Sequence, residues 1–160
     1  MNIETVRVLR REGKHEEARV LAAELAPRSP QDAELQYEAA SVHDYLGREA
    51  EAIPFYMAAI AGDLPPESLR GAYLGLGSTY RTLGRYIEAK ATLVEGLVRF
   101  PDANEMKVFL AMVLYNLGEG KQAIESLLLI LAETTSDVNL QPYRRAIELY
   151  AQDIERSWPV

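Results

Sequence analysis

Glycine recurs along the chain at a nearly constant interval, and this interval limits the folds that the sequence can adopt. Gly13, Gly47, Gly84 and Gly118 are separated by 34, 37 and 34 residues. An alanine follows each glycine five positions later, at Ala18, Ala52, Ala89 and Ala123. A fixed period of this length is typical of a chain built from repeated supersecondary units. We therefore expect a repeat array.

The stretch from residue 70 to 103 shows the internal pattern of one repeat most clearly. Its first half carries an apolar stripe at helical spacing, formed by Tyr73, Leu76, Tyr80 and Leu83. Gly84 follows this stripe, where a helix needs a left-handed residue to end. A second stripe runs from Tyr86 to Phe100, and Pro101 ends it.

Two glycines lie inside the predicted helices of this repeat. Gly77 and Gly96 are small where the two helices must approach closely. The pattern predicts a helix–turn–helix unit that buries its stripes only by stacking on neighbours.

These residues resemble the tetratricopeptide repeat, a helix–turn–helix unit of about 34 residues. The matching positions are Tyr73, Leu76, Gly77, Tyr80, Gly84, Ala89, Leu93, Gly96 and Pro101. The resemblance implies an all-α fold, a right-handed α-solenoid of about four repeats that forms a single domain. We expect the repeats at about 1–32, 33–69, 70–103 and 104–137, and a C-terminal capping helix at about 138–158. The chain is similar to small stand-alone bacterial proteins of this family.

The charge balance and the residue usage disfavour several classes of partner and site. The chain has 17 basic and 24 acidic residues, a net charge of −7, which disfavours nucleic acid as a partner. It has no cysteine, so disulfides and thiolate metal sites are excluded. The longest apolar run, Leu127 to Ala132, is too short to span a membrane, and the N-terminal residues lack the apolar core of a secretory signal. We expect a cytoplasmic protein that binds neither nucleic acid nor membranes.

The sequence carries no arrangement of residues that is typical of an enzyme. It has no phosphate-binding glycine loop, no dinucleotide fingerprint and no nucleophile elbow. The two histidines are His15, in a predicted exposed turn, and His43, at an aromatic position of the repeat where a packed core residue is expected. Two isolated histidines do not make a metal site. We therefore predict a protein that is not an enzyme and that needs no cofactor or metal.

In the tetratricopeptide family the first helix of each hairpin lines a concave groove that holds a peptide or a segment of another protein. The groove positions of this chain, taken from the resemblance, are Tyr37, Ser41, Asp44, Tyr45, Leu74, Ser78, Arg81, Val108, Met112, Tyr115 and Asn116. Most are apolar or aromatic, which favours an apolar partner segment. Gly71 and Gly75 predict a shallow trough that another helix could enter. Asp44, Arg81 and Asn116 would orient the partner at the rim.

The sequence leads to one main hypothesis of function and two alternatives. The main hypothesis is an adaptor or scaffold that binds a protein or peptide partner in the groove. The first alternative is a structural protein that assembles with itself as a homodimer, through the groove or through the C-terminal segment with Tyr143, Tyr150 and Trp158. The second alternative is an accessory, peptide-sensing module of a larger system.

Overall fold

A computed structural model describes residues 1–159, and all regular structure in this range is helical. Nine α-helices are present: α1 (Ile3–Arg11), α2 (His15–Leu25), α3 (Ala33–Tyr45), α4 (Glu49–Ala61), α5 (Pro66–Thr82), α6 (Tyr86–Arg99), α7 (Asn104–Asn116), α8 (Gly120–Thr134) and α9 (Arg144–Tyr150). Single turns of 3-10 helix occur at Ala26–Arg28 and Gln141–Tyr143. The prediction of an all-α fold is confirmed.

The four periodic glycines end the first helix of each hairpin. Each has a positive φ, 77° at Gly13, 70° at Gly47, 73° at Gly84 and 81° at Gly118. The next residue then closes the turn, as at Arg85, whose amide donates to the carbonyl of Tyr80 at 2.8 Å. This is the Schellman arrangement, and glycine adopts its left-handed conformation without steric cost. The 34-residue spacing of the sequence is therefore the spacing of the hairpin turns.

The hairpins stack in sequence order and leave one curved face. Each helix packs on the next one along the chain from α1 to α9. In addition, α1 packs on α3, α3 on α5 and α5 on α7, whereas no two of the even-numbered helices pack extensively on one another. Helices that are close on one side and spread on the other produce a curved solenoid. The odd-numbered helices α1, α3, α5 and α7 therefore line the inner side, which we call the concave face.

Glycines inside the helices mark the closest contacts of the core. A Cβ atom on Gly77 would lie 2.5 Å from Cγ of Leu93, and one on Gly96 would lie 2.7 Å from Sδ of Met106. Leu93 and Met106 are fully buried, with Tyr73 beside them. Glycine in a helix costs about 1 kcal/mol relative to alanine, and close packing offsets that cost here. The prediction that Gly77 and Gly96 allow close approach is confirmed.

The longer interval between the second and third glycines is used to lengthen α5. This helix has 17 residues, whereas α3 and α7 have 13 each. Pro66 is its first residue, a position where proline is tolerated because its missing N–H would have no partner in any case. The additional residues therefore extend α5 at its N-terminal end and leave the stacking of the repeats intact.

The C-terminal segment is less helical than the sequence predicts. The expected capping helix over 138–158 is wrong in extent, because only Arg144–Tyr150 is α-helical. Pro142 lies in the preceding 3-10 turn, and a proline disfavours the helical conformation of the residue before it. After α9, contacts with α8 hold the chain, since Lys121 binds Asp153 at 2.8 Å and the Ile154 amide donates to Glu125 at 3.2 Å.

Candidate functional site

The concave face is the inner surface of the stacked hairpins, and all predicted groove residues lie on the helices that line it. Tyr45 and Tyr115 are largely exposed, at 68% and 72%. The other predicted residues are half-buried: Tyr37, Ser41, Asp44, Leu74, Ser78, Arg81, Val108, Met112 and Asn116. The face is therefore not uniformly open, and its middle and its two ends differ.

The middle of the concave face is filled by tyrosines of the chain itself. The Tyr37 hydroxyl lies where a Cβ of Gly71 would be, and the Tyr56 ring lies within 2.7 Å of the corresponding position of Gly75. The two tyrosine rings are neighbours, with centroids 6.4 Å apart. The prediction that Gly71 and Gly75 leave a trough for another helix is wrong. Their missing side chains make room for residues of the preceding repeat.

Asp44 lies in this central region without a cationic partner. Its carboxylate accepts a hydrogen bond from the Tyr56 hydroxyl at 3.0 Å. Burial raises the pKa of Asp44, because a partly desolvated carboxylate is less stable in its charged form. Burial and the nearby carboxylate also raise the pKa of Tyr56, so its hydroxyl keeps the proton that it donates. The pair forms a polar contact between α3 and α4 at the base of the face.

A polar cavity of about 410 Å³ lies at the N-terminal end of the concave face. Its lining residues are Arg7, Arg10, Arg11, His15, Glu38 and Tyr45. Glu38 is nearly buried and accepts hydrogen bonds from Arg7, at 2.9 Å, and from Arg10. The His15 ring stacks on Tyr45 with centroids 4.1 Å apart, and its Nδ1 atom is buried without a protein partner. The cavity therefore holds three arginines and one carboxylate.

An apolar cavity of about 240 Å³ lies at the C-terminal end. It is lined by Arg81, Ala111, Met112, Tyr115, Ala123, Ile124 and Leu127. Three predicted groove residues, Arg81, Met112 and Tyr115, meet here. Nε of Arg81 donates to Oδ1 of Asn116 at 2.9 Å, which holds the guanidinium across α7 at the edge of the cavity. Arg81 is the only charged residue in an otherwise apolar lining.

Polar contacts join two pairs of successive odd-numbered helices. Arg70 on α5 binds Glu105 on α7, with Nη2 and Oε2 2.9 Å apart, and also Asp102. This contact lowers the pKa of Glu105, because the guanidinium hydrogen-bonds its charged form. Arg7 on α1 binds Glu34 and Glu38 on α3 in the same way. These pairs therefore link α1 to α3 and α5 to α7.

The other features that could indicate catalysis, metal binding or membrane insertion are His43, clusters of acidic and histidine side chains, and long apolar helices. His43 is buried, with its Nδ1 atom 2.7 Å from the carbonyl oxygen of Ala39 and its ring against Phe55, so the prediction of a packed core histidine is confirmed. Over residues 1–159, no three acidic or histidine side chains are grouped so that they could hold a metal ion. No helix in the described part of the chain is long and apolar enough to cross a membrane.

The structure adds residues to the site that the sequence did not indicate. His15, predicted in an exposed turn, is the first residue of α2 and packs on Tyr45 from the next hairpin. Ile124 and Leu127 on α8 complete the apolar cavity. Their three-residue spacing on a helix with many large apolar residues could have indicated a second apolar face. No local pattern indicates the contact between His15 and Tyr45, because it joins different repeats.

The comparison with protein families agrees with the fold. The family model described as tetratrico peptide repeat matches residues 33–154. No curated protein matches the chain. The matched range contains α3 to α9, with three of the four turn glycines. The family match, the stacked helix hairpins and the glycine turns lead to one assignment: the chain belongs to the tetratricopeptide repeat family.

Proposed function

We propose that the chain is a non-catalytic adaptor that binds a segment of a partner protein along the concave face. Tetratricopeptide repeats generally mediate interactions between proteins, which supports an interaction role. The specific proposal is that the partner contacts the two end cavities and crosses the filled central region. The groove residues of the proposal are those predicted from the sequence, extended by His15, Ile124 and Leu127.

The single observation that carries this proposal is the exposure of two tyrosines on the concave helices. Tyr45 and Tyr115 are 68% and 72% exposed, and each lies at one of the two cavities. An exposed aromatic side chain beside a cavity is typical of an interaction site, because it offers a large area at a low cost in conformational entropy. The two tyrosines therefore mark the two ends of the proposed binding surface.

The linings of the cavities define the chemistry of the partner. The N-terminal cavity is lined by three arginines and Glu38. Arg7 also pairs with Glu34 and Arg11 with Glu4, so an acidic group of the partner would share guanidinium groups that already bind carboxylates of the chain. The C-terminal cavity is apolar apart from Arg81 and favours a large apolar side chain. We propose a partner segment that carries an acidic residue toward one end and an apolar residue toward the other.

Co-purification with matched variants tests the proposal. The wild type, Tyr45→Glu, Tyr115→Glu and the control Ile87→Glu would be used as baits, with mass spectrometry of the bound proteins. Ile87 is a 75% exposed apolar residue on α6 and lines neither cavity. The control therefore introduces the same negative charge on another surface. We expect one partner that the wild type and the control retain and that both tyrosine variants lose.

Two results would contradict the adaptor proposal. One is a set of bound proteins that is the same for all four baits, since the cavities would then make no contribution. The other is the recovery of the bait alone under conditions in which circular dichroism shows each variant to be folded. Once a partner is identified, its candidate segment can be synthesised and its affinity measured by calorimetry with and without the acidic residue.

A second candidate function is self-assembly. The observation that favours it is the exposure of Ile124, Leu127 and Leu131, which share one side of α8 at helical spacing. Contiguous exposed apolar surface on a soluble chain marks an interaction site. A homodimer would cover such a surface without any other protein.

A further inference from the structure

The middle of the concave face holds a carboxylate whose charge is not neutralised by the chain. Asp44 accepts a hydrogen bond from the Tyr56 hydroxyl and forms no ion pair within residues 1–159. The charged group that acts on it is Glu49, the first residue of α4, which is also a carboxylate. Desolvation and like-charge repulsion therefore both oppose the charge of Asp44. A cation bound at this position would relieve both effects.

The residues around this carboxylate are hydroxyl groups from three helices. Ser41 precedes Asp44 by one turn on α3, and both are half-buried. Tyr56 on α4 and Thr79 on α5 are buried below them, at 3% and 1% exposure. The Thr79 hydroxyl lies beside the Asp44 carboxylate and stabilises its charged form, yet it makes no well-formed hydrogen bond with the protein. A buried hydroxyl of this kind is uncommon in a folded protein and points to a further group at the site.

The arginines nearest to this region along the concave face bond other residues. Arg10 binds Glu38 at the N-terminal cavity. Arg81 occupies the position of Asp44 one repeat later, 37 residues along the chain. Its guanidinium donates to Asn116 on α7, which packs on the opposite side of α5 from α3. A cation for Asp44 must therefore come from another molecule.

We propose that the middle of the concave face binds a primary ammonium group, carried by a lysine side chain of the partner segment. We name the region the ammonium site and define it by Ser41, Asp44, Tyr56 and Thr79. Ser41 and Asp44 contact the ligand, whereas Tyr56 and Thr79 are positioning residues that hold the carboxylate from below. The inference rests on the proposed adaptor function, because the partner crosses this region between the two end cavities.

The chemistry of the site favours an ammonium group over a guanidinium group. An ammonium has three N–H donors and no acceptor, so a centre made of one carboxylate and three hydroxyl groups matches it. Oδ2 of Asp44 already accepts the Tyr56 hydroxyl, which leaves Oδ1 for a compact cation. The planar fork of an arginine binds best to both oxygens of a carboxylate at once. A lysine therefore fits the site better than an arginine.

The cost of Asp44 to the fold also favours a role in binding. An asparagine at this position would accept the same hydrogen bond from Tyr56 without a desolvated charge. The carboxylate is therefore not needed to hold α3 against α4. Residues that oppose stability without a gain elsewhere in the fold are expected at functional sites. A bound ammonium group supplies the missing gain, because it pairs with the desolvated carboxylate.

Titration of the full, isotope-labelled chain with a lysine probe, followed by the NMR shifts of its backbone amides, tests the inference. The probe is Nα-acetyl-lysine methylamide, and the matched probe is Nα-acetyl-norleucine methylamide, which has no charge. We expect saturable shifts around Ser41, Asp44 and Thr79 with a Kd of about 1 to 10 mM for the lysine probe. The norleucine probe should produce none of these shifts, and the arginine analogue should bind about 3-fold more weakly.

Substitutions separate the ligand contact from the support beneath it. Asp44→Asn should weaken binding of the lysine probe at least about 10-fold, because it removes the charge. The matched control is Asp63→Asn, which changes an exposed aspartate beyond the other end of α4 and should bind as the wild type does. Thr79→Val should bind about 3-fold more weakly, and Thr79→Ser should restore the wild-type affinity. Thermal unfolding checks that every variant is folded.

Two results of the titration would overturn the inference. One is equal binding of the lysine and norleucine probes, since the contact would then be apolar. The other is a lysine affinity that Asp44→Asn leaves unchanged, because the contact would then lie on another acidic surface.

Co-purification with Asp44→Asn as an additional bait separates this inference from the adaptor proposal. We expect Asp44→Asn to lose the partner that the wild type and Asp63→Asn retain. A partner that Asp44→Asn holds as well as the wild type does would overturn the ammonium site and leave the adaptor proposal standing. Binding of the lysine probe by a chain that recovers no partner would overturn the assignment of the ammonium group to a protein, and would indicate a small amine instead.

Discussion

The third and the fourth hairpin have the same helix pattern but bury it to different degrees. Leu93 on α6 is fully buried, whereas Leu127, its equivalent on α8, is 41% exposed. The two residues have the same chemistry and follow their turn glycines at the same distance. The difference comes from the neighbouring helix. α7 packs on both α5 and α6, whereas within residues 1–159 no helix packs extensively on both α7 and α8. In a repeat array, burial at a given position is decided by the next repeat along the chain.

The largest expected effect is the difference in the free energy of unfolding between the variants Leu93→Ala and Leu127→Ala. Leu93→Ala removes a buried side chain that touches Gly77 and leaves a cavity, so we expect a loss of about 4 kcal/mol in the free energy of unfolding. Leu127→Ala removes a side chain that is already partly hydrated, so we expect a loss of about 1 kcal/mol in dilute solution. Urea unfolding followed by circular dichroism measures both values. Equal losses would show that Leu127 is packed as tightly as Leu93.

The second comparison is between two glycines of α5. A Cβ at Gly75 would meet the buried ring of Tyr56, whereas a Cβ at Gly71 would meet only the hydroxyl end of the half-buried Tyr37. Gly75→Ala should therefore destabilise the fold by about 2 kcal/mol through overpacking. Gly71→Ala should be close to neutral, because Tyr37 can move toward solvent and alanine gains about 1 kcal/mol of helix propensity.

Thermal unfolding of both glycine variants measures this comparison, and Tyr56→Leu in the Gly75→Ala background is the control. The smaller side chain should restore part of the lost stability. A Gly75→Ala variant as stable as the wild type would contradict the close packing of Tyr56 on α5. It would also reopen the middle of the concave face as a possible binding surface.

These comparisons show which parts of the molecule follow from local sequence. The helix stripes, the turn glycines and the close approach at Gly77 and Gly96 were predictable, because each depends on residues within one repeat. The short C-terminal helix was not, because contacts such as Lys121 with Asp153 decide its end. The filling of the space at Gly71 and Gly75 depends on tyrosines of the preceding repeat. The helical scaffold was therefore more predictable than the surface it presents.

For the candidate site, the sequence placed the residues on the concave helices but not their accessibility. Tyr115 and Tyr45 are exposed, whereas Tyr37 packs within the chain, although all three are tyrosines on first helices of hairpins. The position of a residue within a repeat determines the face of the helix on which its side chain lies. Whether that side chain is exposed depends on the size of the residue that faces it in the next repeat. For Tyr37 this residue is Gly71, 34 positions further along the chain. The binding role of the groove residues stays a prediction.

The smallest expected effects are on the pH dependence of stability. They concern two carboxylates whose pKa values are shifted in opposite directions. The pKa of Glu105 is lowered from 4.5 by its hydrogen bond to Arg70, so its contribution to stability is present above that value and is lost as the pH falls. The pKa of Asp44 is raised from 3.8 by burial, so its contribution is largest below that value and is lost as the pH rises.

Glu105→Gln and Asp44→Asn should therefore give opposite pH dependences. We expect Glu105→Gln to be less stable than the wild type at pH 7 by under about 1 kcal/mol, because the pair with Arg70 is partly exposed, and to approach the wild type near pH 3. Asp44→Asn should gain stability relative to the wild type between about pH 4 and 7, since asparagine accepts the Tyr56 hydrogen bond without a desolvated charge. Chemical unfolding at a series of pH values measures both differences. An Asp44→Asn variant that loses stability as the pH rises would mean that the charge of Asp44 is compensated within the fold, and the central region of the concave face would then hold a favourable carboxylate.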